Sequence, residues 1–130
     1  MKLPKLAPLL MLPLLLIAAC TPLGYQKAQV SPDTHQDGYL DKEVSPGVHI
    51  IEVRQEARYV LMFHRETTEA RFRTHWERRA AELCPNGYTG TPEMISPREA
   101  RIDEFYCTLE VCQKYPLLSG VAFCKKVYEL

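Results

Sequence analysis

The chain lacks a basic excess. Its 130 residues carry 16 lysines and arginines against 16 aspartates and glutamates. No basic cluster stands out, which argues against nucleic acid as a partner, since that would call for a concentrated positive surface. It also has no internal repeat and no low-complexity segment, so a solenoid or fibrous array is excluded. No apolar run reaches the roughly 20 residues that a membrane-spanning helix needs. The apolar run Leu6 to Ala19, which carries no charge, follows Pro4 and is broken by Pro8 and Pro13. Nor is there a nucleophile with a base at recognisable catalytic spacing, so the chain does not read as an enzyme. His35, His49, His64 and His75 are scattered without ligand-like spacing, apart from a loose reach between His64 and His75. No metal or other cofactor is implied.

What is present begins with an address. Met1-Lys2-Leu3-Pro4-Lys5 supplies two positive charges ahead of the apolar run, which is the layout of a secretory signal. The run ends in Leu16-Ile17-Ala18-Ala19-Cys20. This segment resembles the lipobox of bacterial lipoproteins, where an aliphatic residue and two small ones precede an obligatory cysteine. The resemblance implies a signal peptide over residues 1–19, thioether lipidation of Cys20, cleavage before it and acylation of the new amino group. Several acyl chains would hold the protein on the membrane far more firmly than one. In the sorting rule of Gram-negative lipoproteins, Thr21 rather than Asp after the cysteine points to the periplasmic face of the outer membrane. Loss of Lys2 and Lys5 with the signal leaves 14 basic residues against 16 acidic ones.

With Cys20 lipidated, Cys84, Cys107, Cys112 and Cys124 remain. An even number in an oxidising compartment reads as two disulfides. A structural zinc site usually shows two close ligand pairs, and only Cys107 and Cys112 are close. Three pairings are open. The favoured one joins Cys84 to Cys124, tying a helix end to the last strand, and Cys107 to Cys112.

Along the mature chain, residues 20–46 read as a lipidated N-terminus and flexible tether, with Pro22, Pro32 and Pro46 in a polar setting. A coil of that length typically spans about 25–30 Å. The folded domain is expected over residues 47–130. Val48 to Gln55 predicts a strand opened by Pro46-Gly47, and Tyr59 to Phe63 a second, joined in a hairpin around Glu56-Ala57-Arg58. A helix is predicted from Thr68 to Cys84. Thr67 or Thr68 caps it, and Phe72, Trp76, Ala80 and Leu83 form one apolar stripe. Pro85 and Asn86-Gly87 end it. Tyr88 to Ile95 is broken by Gly90 and Pro92, so any strand there is short. Ser96-Pro97-Arg98-Glu99 predicts a turn, or a single helical turn with Ser96 as cap. Ile102 to Cys112 alternates and predicts a long strand, with Cys107 and Cys112 on opposite faces. Val121 to Val127 predicts the last strand.

Together these elements predict an α+β fold: a small antiparallel sheet of 3–5 strands with one main helix across it, stapled by disulfides. A domain of about 80 residues buries little over 60% of its unfolded surface and gains from such staples.

The helix segment Trp76-Glu77-Arg78-Arg79-Ala80-Ala81-Glu82-Leu83-Cys84, then Gly87-Tyr88, and the strand Gly120-Val121-Ala122-Phe123-Cys124 carry a second likeness. They resemble small, largely uncharacterised Gram-negative envelope lipoproteins. The resemblance implies the same α+β domain and supports the Cys84–Cys124 bridge, while Cys107 and Cys112 look like an addition to it. It brings no activity. Trp76 reads as core rather than as a stacking platform, because its i±4 neighbours are apolar. Arg78 and Arg79 read as a solvated face pairing with Glu77 or Glu82 rather than as a grip on a phosphate or carboxylate. Tyr106 and Tyr115 read either as half-buried strand positions or, with the two arginines, as a contact patch. The expected role is a binding or accessory module, held to the membrane through Cys20, for an envelope protein or cell-wall component. A small envelope hydrolase and a purely structural lipoprotein are the rivals.

Overall fold

The computed structural model describes residues 25–29, 38–54, 65–110 and 116–126, with side chains of the helix from Thr68 onward. Five strands form one antiparallel sheet: β1 (Gly38–Ser45), β2 (Val48–Arg54), β3 (Tyr88–Thr89), β4 (Glu93–Ile95) and β5 (Leu117–Cys124). The path runs β1-β2-β5-β3, and β4 also pairs with β5. One helix, α1 (Arg65–Leu83), packs on one face. The expected α+β architecture is therefore the one observed.

The β1–β2 hairpin turns on Pro46-Gly47, with Ser45 opposite Val48 and Gly47 at φ 77°. Glycine suits this turn because φ is positive there. β1 falls inside the stretch expected to be a tether. Tyr39 and Leu40 give it apolar anchoring, while Lys42 and Glu43 stand exposed on an outer strand. Edge strands commonly carry such charges, so the segment looks like a linker in composition. Over Val48 to Val53, β2 is paired on both sides, by β1 and by β5. No edge remains there for the expected hairpin with Tyr59 to Phe63, a segment outside the described residues.

In α1, Thr68, Phe72, Trp76, Ala80 and the following Cys84 recur every four residues, and all are buried. Phe72, Trp76, Ala80 and Cys84 meet Ile51, Val53, Leu118 and Ala122, which form the core of the helix face of the sheet. The helix begins at Arg65, ahead of the expected Thr67 or Thr68 cap. Thr68 instead extends the buried stripe upward. The Cys84–Cys124 disulfide joins the helix end to β5, with Cα atoms 4.9 Å apart. Cys107 is also disulfide-bonded; Cys112, its expected partner, lies outside the described residues, as does Cys20.

The expected strand from Ile102 to Cys112 does not form within the described residues. A 3-10 turn, Asp103–Phe105, occupies its start. Ile102 and Phe105, three apart, both turn inward, while Asp103 and Glu104 stay exposed. Both edges of β5 are already taken, by β2 and by β3 and β4. The segment instead lies across the second face of the sheet, where Phe105 packs with Leu117, Leu40 and Ile95. Pro97–Glu99 is the expected single turn, with the Glu99 carboxylate accepting the Ser96 N–H at 3.3 Å. The last strand begins at Leu117 rather than Val121, because Leu117 and Leu118 are wholly buried on opposite faces of the sheet.

Candidate functional site

Residues 25–29 pass along the outer edge of β1 as a short strap. Tyr39 receives a bond from the Ala28 N–H at 2.9 Å and donates to the Gln26 carbonyl at 3.0 Å, in a parallel bridge. Gly38 is what allows this approach. A Cβ there would meet the Gln26 oxygen at 2.5 Å and the Ala28 nitrogen at 2.6 Å, at φ 146°. Ala28 turns into the second-face core, and Tyr25 lies on the helix side.

Tyr25 is held on four sides. Its ring stacks on Tyr39 at 4.8 Å, the Arg78 guanidinium lies 4.1 Å above it, and His75 meets its edge at 5.8 Å. Its hydroxyl donates to the Glu82 carboxylate. Burial, and then this hydrogen bond, push the phenol well above its ordinary range. Arg79 completes the clamp. Its Nε–H donates to Asp41 on β1 at 2.8 Å, Nη1 lies 3.7 Å from Glu82, and the guanidinium covers Tyr39 at 4.8 Å. Burial alone would lower the Arg79 pKa, but the hydrogen bond and charge of Asp41 more than offset it. His75 is held below its usual range by burial, then by the charges of Arg71 and Arg78.

The pair Arg78-Arg79 is thus engaged with the strap and β1, and its expected contact with Glu82 is present through Arg79. Tyr106 is 49% exposed. It follows Phe105 on the segment crossing the opposite face, so it does not share a surface with the two arginines. Tyr115 lies outside the described residues.

The second face holds polar groups where the sequence pattern gives little warning. Glu52 is fully buried, and its two carboxylate oxygens accept the N–H groups of Arg101 at 3.1 Å and Ile102 at 2.9 Å. Two residues along the same strand face, Arg54 is also buried, 5.7 Å from the centre of the Phe105 ring. Its Nε and Nη1, and the neighbouring Ser119 Oγ, have no hydrogen-bond partner among the described residues. Burial lowers the Arg54 pKa. An open cleft of about 270 Å³ beside β1 is lined by Lys27, Lys42, Asp41, Asp103, Glu104 and two apolar residues, a mixture that favours neither sign of charge.

Phe123 is 49% exposed and Val44 50% exposed. Register places Phe123 opposite Val48, and Val48 opposite Ser45, so these residues gather at the hairpin end of the sheet. Phe123 lies on the second face, away from α1. No family model matches the chain, and neither does any curated protein or solved structure.

Tyr25, Tyr39, Glu52 and Arg54 carry the internal chemistry, and none was singled out from sequence. For the two charged residues a signal was there to be read. Glu52 and Arg54 alternate with Ile51 and Val53, which places them on one face of a strand. For the two tyrosines, in a polar proline-containing stretch, no periodicity marks them. Among the described residues, no helix is long and apolar enough to cross a membrane, and no group of three or more His, Cys, Asp or Glu side chains could hold a metal ion.

Proposed function

We propose that this chain is a lipid-anchored envelope lipoprotein whose folded part is a binding or accessory module. Its partner is an envelope protein or a cell-wall component. The anchor is Cys20, carried on the periplasmic face of the outer membrane of a Gram-negative bacterium. The observation that carries the reading is Leu16-Ile17-Ala18-Ala19-Cys20 at the end of an uncharged apolar run. The Cys84–Cys124 disulfide supports an exported, oxidising setting. For the contact itself, the exposed Phe123, opposite Val48 on the face away from the helix, and the exposed Val44 beside the hairpin turn offer an apolar end of the sheet. Clustered exposed apolar groups of this kind favour protein contacts.

Two measurements test the reading. Mass analysis of the N-terminal peptide should give an acylated Cys20 in the wild type and an uncleaved, unacylated precursor for Cys20→Ser. Normal processing of that variant would remove the anchor. In-cell crosslinking of the lipidated protein should then capture one specific envelope component, and Phe123→Glu should abolish that capture while processing stays normal. Capture that ignores the substitution would place the contact elsewhere.

A further inference from the structure

The lipid anchor and the strap together fix which way the domain faces, and this step rests on the lipoprotein reading above. Only residues 21–24 separate Cys20 from Tyr25. Five residue steps at about 3.3–3.6 Å reach at most about 18 Å. A free tether over the whole of residues 20–46 would have left the domain unoriented. Tyr25, however, is clamped between Tyr39, Arg78, His75 and Glu82. The membrane attachment point is therefore tied to the helix side of the molecule by a short leash.

The surface brought to the membrane has a definite chemistry. Opposite the buried Trp76, the crest of α1 consists of Arg71, Thr74, Arg78 and Ala81, spaced three, four and three, and all four are exposed. The crest itself carries two arginines, flanked by the exposed Glu77 and Glu82, and the Arg78 guanidinium also covers the Tyr25 ring at 4.1 Å. Guanidinium groups pair well with phosphate oxygens. We propose that the crest of α1, with Arg71 and Arg78, rests against the phosphodiester headgroups of the bilayer that holds Cys20. The second face, with Tyr106 and Phe123, then points away from the membrane.

The test uses the full mature, lipidated protein in nanodiscs of phosphatidylethanolamine and phosphatidylglycerol carrying a trace of gadolinium-headgroup lipid. Amide signal loss in the NMR spectrum is the readout, and the acyl mass on Cys20 is measured on the same sample. The expected result is strongest loss at Tyr25 and from Arg71 to Arg78, and weakest loss at Tyr106 and Phe123. Tyr25→Ala, which frees the leash and leaves the sheet–helix core untouched, should even out the pattern. Gly38→Ala should do the same by pushing the strap off β1. Acylated protein with strongest loss at Tyr106 and Phe123, or with uniform loss in the wild type, overturns the orientation alone. Absence of acyl mass removes the anchor, and the orientation falls with it.

Discussion

Trp76 donates its indole N–H to the backbone carbonyl of Ile51 at 2.8 Å, tying the middle of the helix to the middle of the sheet. The contact is possible because Gly120 lies opposite Ile51 in the sheet. A Cβ at Gly120 would meet the indole at 2.9 Å and the Pro92 Cα at 2.7 Å. Trp76→Phe removes the donor and part of the ring, and should cost about 2–3 kcal/mol. Gly120→Ala should destabilise as well, by forcing the helix from the sheet. Urea unfolding followed by circular dichroism measures both. A Gly120→Ala variant as stable as the wild type would mean that the indole can shift freely.

The Cys84–Cys124 disulfide closes a separation of 40 residues. By the chain-entropy relation, a loop of that size contributes about 4 kcal/mol through the unfolded state. The double replacement Cys84→Ala with Cys124→Ala should lower the unfolding free energy by that order. The helix should stay formed, because Ala80, Trp76 and Phe72 still pack. Comparing urea midpoints with and without the pair decides it. A loss under about 1 kcal/mol would indicate that the unfolded chain is already compact.

Glu52 fastens the segment that crosses the second face. Glu52→Gln leaves one oxygen to accept and turns an amide donor toward a backbone N–H. The loss should be about 2–3 kcal/mol, since the bonds replaced are charge-assisted. Hydrogen exchange at the Arg101 and Ile102 amides should quicken before global unfolding. If those two amides keep their protection, the carboxylate is not what holds the segment.

The architecture of the helix face was legible in the sequence, and that of the second face was not. Phe72, Trp76 and Ala80 announce themselves by spacing, and Pro85-Asn86-Gly87 marks the stop. Those signals are local, and a helix must bury its one stripe. Whether Gly38–Ser45 is linker or strand depends on β2 having a free edge, a tertiary fact absent from its own polar composition. The alternation from Ile102 to Cys112 is misleading for a related reason. With both edges of β5 occupied, the segment satisfies its Arg101 and Ile102 N–H groups on a side chain, Glu52, and curls into a 3-10 turn. The clamp was half legible: Arg78 and Arg79 stood out as charge, but their partners Tyr25 and Asp41 lie 53 and 38 positions away.

His75 should make stability fall with acid. Burial, then Arg71 and Arg78, hold its folded-state pKa below the ordinary value of about 6.5. The unfolded chain then binds the proton more readily than the folded one. Stability is therefore full above the unfolded pKa, falls as pH drops through it, and levels off below the folded value. His75→Gln should flatten this part of the profile. Thermal midpoints of the two proteins at pH 7.5 and 5.5 suffice, and equal acid losses in both would assign the effect to the carboxylates.

Arg54 sets the sharpest test of the second face. Its guanidinium is buried with Nε and Nη1 unpartnered, and no ion pair satisfies it among the described residues. Glu52, the nearest acid along the strand face, has both oxygens taken by Arg101 and Ile102. A buried charge left partly unpartnered costs several kcal/mol, and among the described residues the Phe105 ring is what faces it. Arg54→Met keeps the volume and removes the charge, so it should raise stability by about 1–3 kcal/mol. Arg54→Lys should do the opposite, because a compact ammonium is hydrated more strongly and cannot lie over the ring as a plane. A rise for Met with a fall for Lys fits an arginine retained at a cost to folding. A fall of several kcal/mol for Met would mean that the guanidinium is fully paired in solution.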